Sequence, residues 1–250
     1  MTGHVLPHLL RAVALAAFLG VWEWAGRVRV TFAFPTVGAT LRAGAELLRS
    51  GELPAALLVS AQALALGLGT ALAVAVPLGL VMGMVRPVAR VAGLYLELLI
   101  ALPSAALIPL VILTFGISVR SSAAVVFVFS MPFIAMNAYG GVREVPPRLV
   151  EMARAFQATP TQLFVKVILP GSLPLLLAGL RYGLSRAFVG LVIAELLLSP
   201  FGVGKVMTTA AAVFAYDRLF ATVAVIILLA VGTLTLLQRV ERALLRWRTA

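Results

Sequence analysis

The chain has 250 residues, of which 62% are hydrophobic and only 12% charged, a balance that a soluble domain of this size does not sustain. Its formal charge of +11 raises nucleic acid as a partner, but Lys and Arg lie between or at the ends of apolar runs, where they act as topology signals, so no nucleic-acid face is expected. The absence of cysteine excludes disulfides, thiolate metal sites and a cysteine nucleophile.

A hydrocarbon core about 30 Å thick takes roughly 20 apolar helical residues per crossing. Six crossings are predicted, at about residues 5–25, 55–85, 91–115, 122–142, 173–198 and 219–239, in an all-α membrane protein with one domain over residues 1–250 and its core at 55–240. The first run lacks an A-x-A cleavage site and carries Trp22 and Trp24 near its far end, where aromatic rings favour the lipid interface, so it is read as a retained helix. His4 and His8 are spaced i, i+4 without a third ligand nearby, so no metal site is expected. Between Thr36 and Gly51, Val37, Leu41 and Leu48 form one stripe, which predicts a short helix lying on the membrane surface.

The second crossing exceeds the hydrocarbon thickness and should tilt or bend, with Pro77, Gly79 and Gly83 marking the place. The third contains Pro103 and Pro109, each of which frees a carbonyl, so an interrupted helix beside a cavity is expected there. An even number of crossings puts both termini on one side. Placing them inside gathers Arg86, Arg90, the loop cations and the tail Arg239, Arg242, Arg246 and Arg248 there, with Arg27, Arg29, Arg42, Arg49, Arg120, Lys205 and Arg218 opposite.

The stretch 143–172 interrupts the apolar pattern on the inner side, and loops this long are usually functional. Pro147 suits a first helical turn, and Leu149, Met152, Ala153 and Phe156 follow on one face. Thr159-Pro160-Thr161-Gln162 fits a capping box, so a second helix should begin at Pro160 and run to Pro170, with Gly171 to Pro174 turning the chain back into the bilayer. Such a pair of amphipathic helices either lies on lipid or offers apolar knobs to a groove on a soluble partner.

Glu151-Met152-Ala153 followed by Val167-Ile168-Leu169-Pro170 resembles the EAA loop of ABC importer permeases, whose pattern is E-A-A, three residues, G, nine residues, I-x-L-P. Glu151, Ala153, Leu169 and Pro170 match in register; Met152 stands for an alanine and Gln157 for the glycine. Phe34-Pro35-Thr36-Val37, the run from Leu102-Pro103 to Phe115-Gly116, Tyr139-Gly140-Gly141-Val142-Arg143, Gly179-Leu180-Arg181 and Ala194-Glu195-Leu196 resemble the branch that handles sulfonates, taurine, nitrate and related solutes. The resemblance implies a type I importer permease in a bacterial inner membrane, with both termini cytoplasmic. It implies a loop that docks on a separate ABC ATPase, which uses the ATP and Mg, through Glu151, Met152, Ala153, Phe156, Gln157, Leu169 and Pro170. It further implies an extracytoplasmic solute-binding protein and a second permease copy, with no cofactor bound by this chain. Glycine at 157 would permit a left-handed turn cheaply; with Gln157, either Ala158-Thr159 makes the bend or coupling is altered.

Charged residues inside apolar helices usually face a cavity or a partner, so Glu97, Pro103, Arg181 and Glu195 are candidates for the translocation path, with interhelical bonding as the other use of the charges. Glu23 and Arg186 are read as snorkelling from helix ends. Gly202-Val203-Gly204-Lys205 fails as a phosphate loop because position 199 is Ser and Val206 follows the lysine. An intramembrane serine protease is disfavoured by the lack of a G-x-S-x-G elbow and of histidine in the bundle. An ion-coupled carrier using Glu97 or Glu195 is the alternative, although no repeated halves are visible.

Overall fold

The computed structural model describes residues 5–28, 31, 33–198 and 201–245. His4, Arg29, Ser199, Arg246 and Arg248 fall outside them, as does the side chain of His8. Among the described residues every regular element is helical: α1 (Val5–Val28), α2 (Val37–Arg49), α3 (Glu52–Met84), α4 (Arg86–Ala101), a 3-10 turn (Ser104–Leu107), α5 (Ile108–Phe115), α6 (Val119–Arg143), α7 (Pro147–Ala155), α8 (Pro160–Leu163), a π-helical turn (Phe164–Ile168), α9 (Leu169–Leu198), α10 (Gly202–Ala212) and α11 (Tyr216–Leu244).

Among the described residues, four continuous helical runs are long and apolar enough to cross a membrane, namely α3, α6, the run Pro160–Leu197 and α11. The pair α4 and Ala105–Phe115, bent by 94° at the Pro103 break, makes a fifth if it is one span. A sixth is reached if α1, 24 residues and so about 36 Å long, also crosses.

α6 is the centre of the bundle, lying between α3 and α9. Half of its most apolar stretch is buried, against 11% for α11. In lipid there is no hydrophobic force between helices, so close approach of small residues must hold them together. Gly67 and Gly79 on α3, and Gly183 and Gly190 on α9, supply it: a Cβ at Gly79 would stand 2.6 Å from the Ala138 Cβ, and one at Gly183 2.6 Å from the Ile134 Cδ1. Gly79 and Gly83, expected to mark a bend, therefore admit α6; α3 continues through Pro77 as one helix of 33 residues.

The structure adds packing detail to α2 and Trp22, and one further expectation changes. α2 forms as predicted, with Thr36 Oγ1 accepting from the Ala39 amide at 3.1 Å, but its buried face is Thr40, Ala43 and Leu47, while Leu41 and Leu48 are exposed. Ala43 and Leu47 pack with Leu53, Val203, Val206 and Ala221, which leaves Leu41 and Leu48 on the outward side. Trp22 packs with Phe18, Phe34 and Phe220, and its indole N–H donates to the Pro35 carbonyl at 3.0 Å.

The predicted stop at Pro170 and the turn over 171–174 do not occur, because the chain stays helical from Pro160 to Leu197. The π turn precedes Pro170, and there the Leu169 N–H reaches the Phe164 carbonyl. A proline lacks a donor and crowds the carbonyl four residues back; the widened turn absorbs that misfit within the helix.

Candidate functional site

The 143–172 loop folds into an elbow at one end of the bundle. Val145 is buried against Gly171, where a Cβ would meet the Val145 Cγ2 at 2.9 Å, so the base of the elbow is fixed to the start of α9. α7 starts with Pro147 in its first turn and ends in a Schellman motif: the Ala158 amide donates to the Ala153 carbonyl at 3.0 Å and the Gln157 amide to the Arg154 carbonyl at 2.9 Å. This motif requires a left-handed residue at position 157, and Gln157 adopts φ +56. Gln157 itself thus makes the bend that a glycine would make more cheaply; Ala158 and Thr159 do not replace it. The capping box forms in both directions, with the Gln162 amide on Thr159 Oγ1 at 3.3 Å and the Thr159 amide on Gln162 Oε1 at 3.0 Å.

α7 buries none of its residues. Leu149 is 43%, Met152 53% and Phe156 81% exposed, with Glu151 and Arg154 beside them also exposed. A rigidly capped helix whose apolar face has no cover in its own chain can fit a groove on another protein. Leu169 and Pro170 are half-buried at the return of the elbow and do not join that face.

The four path candidates are not brought together. Pro103 lies at the break and lines a cavity of about 380 Å³ with Ile100, Leu102, Phe129, Phe133 and Arg186. Glu97 is exposed on α4. Arg181 pairs with Glu241 of α11 at 3.2 Å, beside a different cavity that includes Gln238 and Arg242. Glu195 is 2% exposed, and its Oε2 accepts from Ser60 Oγ at 2.9 Å and from the Gly204 amide at 3.1 Å. Ser60 Oγ also accepts the Val203 amide at 2.9 Å, so the pair satisfies orphan donors at the start of α10 and ties α3, α9 and α10 together. The glycines of the rejected phosphate-loop stretch serve here: side chains at Gly202 and Gly204 would overlap Glu195.

Two charged residues have roles that spacing did not indicate. Glu23 does not snorkel; its Oε1 pairs with Arg27 at 2.8 Å and its Oε2 accepts the Val37 amide at 2.9 Å, capping α2. Arg186 is not near a helix end either. It sits in the middle of α9, with its guanidinium carbon 4.7 Å from the centre of the Phe133 ring.

Residues 75–246 match the family described as binding-protein-dependent transport system inner membrane component. The chain is 33% identical, over an alignment of 254 positions, to the putative aliphatic sulfonates transport permease protein SsuC of Bacillus subtilis (strain 168), covering 100% of this chain and 88% of that protein. It is 32% identical over 166 residues to the taurine transport system permease protein TauC of Escherichia coli (strain K12), covering 66% of this chain and 60% of that one. Its fold is similar to an inward-facing MetNI methionine ABC transporter, with TM-score 0.63 at 19% identity over 74% of this chain and 94% of that chain. An amino acid ABC transporter solved with histidines gives TM-score 0.60 at 18% identity, over 80% and 94% of the two chains.

Proposed function

We propose that this chain, which belongs to the family of binding-protein-dependent transport system inner membrane components, converts nucleotide-driven closure of a separate ABC ATPase into opening and closing of a solute path, through the elbow formed by α7 and α8. It is an ABC importer permease subunit and a multi-pass membrane protein. The observation that carries the coupling is the uncovered apolar face of α7, where Met152 and Phe156 stand out beside Glu151 on a helix closed by a Schellman motif and followed by the capping box of α8.

The elbow and both termini lie on the cytoplasmic side, where the ATPase has access. Two copies of the chain enclose the path, and an extracytoplasmic binding protein delivers the solute, a sulfonate, taurine, nitrate or related small anion or zwitterion. The identity to sulfonate and taurine permeases supports that solute class. ATP and Mg act in the ATPase, and this chain binds no cofactor of its own. Closure of the ATPase biases the permease pair between inward-open and outward-open states. Of the two carboxylates an ion-coupled carrier could use, Glu195 is enclosed by Ser60, Gly202 and Gly204, and Glu97 is exposed on α4 away from it.

Co-purification tests the reading. The ATPase should accompany the unsubstituted chain from detergent extracts and be lost with Glu151→Lys or Phe156→Ala, while the permease itself remains folded. Undiminished association of both variants would place docking elsewhere.

A further inference from the structure

We infer that Arg186, seated against Phe133 in the cavity opened by the Pro103 break, is the residue that binds the anionic group of the transported solute; this rests on the proposed importer function. The position argues first. Arg186 is 17 residues from the start of α9 and 12 from its end, so neither terminus is within reach of its side chain. A cation at that depth is expensive unless it faces a cavity or a partner.

The cavity argues second. α4 and the following helix are bent by 94° at the break, and irregular backbone at membrane depth is tolerated where it is packed in protein or lines a wetted cavity. The volume of about 380 Å³ suits a small organic anion. Ile100, Leu102, Phe129 and Ile193 supply apolar walls, and Arg186 is the ionisable group lining it among the described residues.

The chemistry argues third. Among the described residues no carboxylate pairs with Arg186, in contrast to Arg27, Arg181 and Arg218, which have Glu23, Glu241 and Glu52. The Phe133 ring holds the guanidinium, an arrangement that stabilises a cation without using its in-plane N–H donors. Those donors form a fork that matches two oxygens of a carboxylate, sulfonate or nitrate, whereas a neutral solute would leave the charge uncompensated. The cavity therefore selects a small anion, and a short apolar or polar tail would occupy the space towards Pro103.

The assembled complex of permease, ATPase and binding protein in vesicles gives two readouts. With ethanesulfonate as the probe, modification of Arg186 by phenylglyoxal, followed by peptide mass spectrometry, should be slowed by ethanesulfonate and unaffected by neutral dimethyl sulfone. ATP-dependent uptake of ethanesulfonate should fall about 10-fold or more in Arg186→Gln, as expected for losing a charged hydrogen-bonding group, and recover in part in Arg186→Lys. Equal modification with and without ethanesulfonate, or full uptake by Arg186→Gln, overturns the inference and leaves the importer reading intact. Rescue of Arg186→Glu by Glu97→Arg would also overturn it, by making Arg186 a contact between copies. Failure of the unsubstituted complex to accumulate any probe counts against the importer reading, and the protection experiment still decides the role of Arg186.

Discussion

Ser60 on α3 and Glu195 on α9 share a hydrogen bond of 2.9 Å, although 135 positions separate them in the chain. Through the Val203 and Gly204 amides the same two side chains hold the start of α10, so three helices meet at one enclosed carboxylate. Glu195→Leu should leave the Gly204 amide without an acceptor and cost about 1 to 3 kcal/mol, while Ser60 keeps the Ala56 carbonyl and the Val203 amide; Glu195→Gln retains an acceptor and costs less. Thermal unfolding in detergent orders the variants. Equal midpoints for Leu and Gln would mean that the network contributes nothing.

Gln157 predicts a gain. Replacing it with Gly relieves a left-handed L-residue and should stabilise the elbow by about 1 kcal/mol, with the ATPase still bound. Gln157→Val, β-branched at the same φ, should do the opposite. Protease sensitivity between α7 and α8 is the measurement, and a rise in cleavage for Gln157→Gly would contradict the Schellman geometry.

The glycine faces around α6 predict a contrast between two substitutions. Gly183→Val drives a side chain into Ile134 and should destabilise by about 1 to 3 kcal/mol, the range for overpacking. Gly140→Ala meets nothing within 4 Å and should be neutral or slightly stabilising, since alanine is the better helix former. Melting midpoints of the two variants in one detergent decide the point.

Arg181 and Glu241 predict coupling between α9 and α11. The pair is partly solvated, so its removal should cost at most about 1 kcal/mol. A double-mutant cycle with Arg181→Gln and Glu241→Gln should give a small favourable coupling. Additive effects would show that the two charges act independently.

Much of this was legible in the chain. Apolar run length located four of the six predicted crossings and the bent pair of a fifth, Pro103 announced the broken helix, and Thr159 with Gln162 gave the capping box down to its two bonds. The elbow residues Leu149, Met152, Ala153 and Phe156 stood out because their spacing leaves one apolar face on a polar loop, and Glu151 by its resemblance to the EAA pattern. What spacing could not reveal were pairings between distant helices: Ser60 with Glu195, Arg181 with Glu241, Phe133 with Arg186. The stop at Pro170 was misread because proline removes one bond but does not forbid a helix that widens one turn ahead of it. The stripe on α2 named the outward leucines, Leu41 and Leu48, but not the opposing face of Thr40, Ala43 and Leu47, whose packing partners lie on α3, α10 and α11.

The side of the membrane on which α7 lies tests the central claim most directly. Because the chain has no cysteine, Ala155→Cys, at an exposed position beside Phe156 on α7, introduces its sole thiol and leaves the docking side chains in place. Coupling to an ATPase predicts that an impermeant maleimide labels this thiol in inside-out vesicles stripped of the ATPase, that rebinding the ATPase blocks the labelling, and that sealed right-side-out vesicles stay unlabelled. Labelling from the outer face of sealed right-side-out vesicles would contradict it.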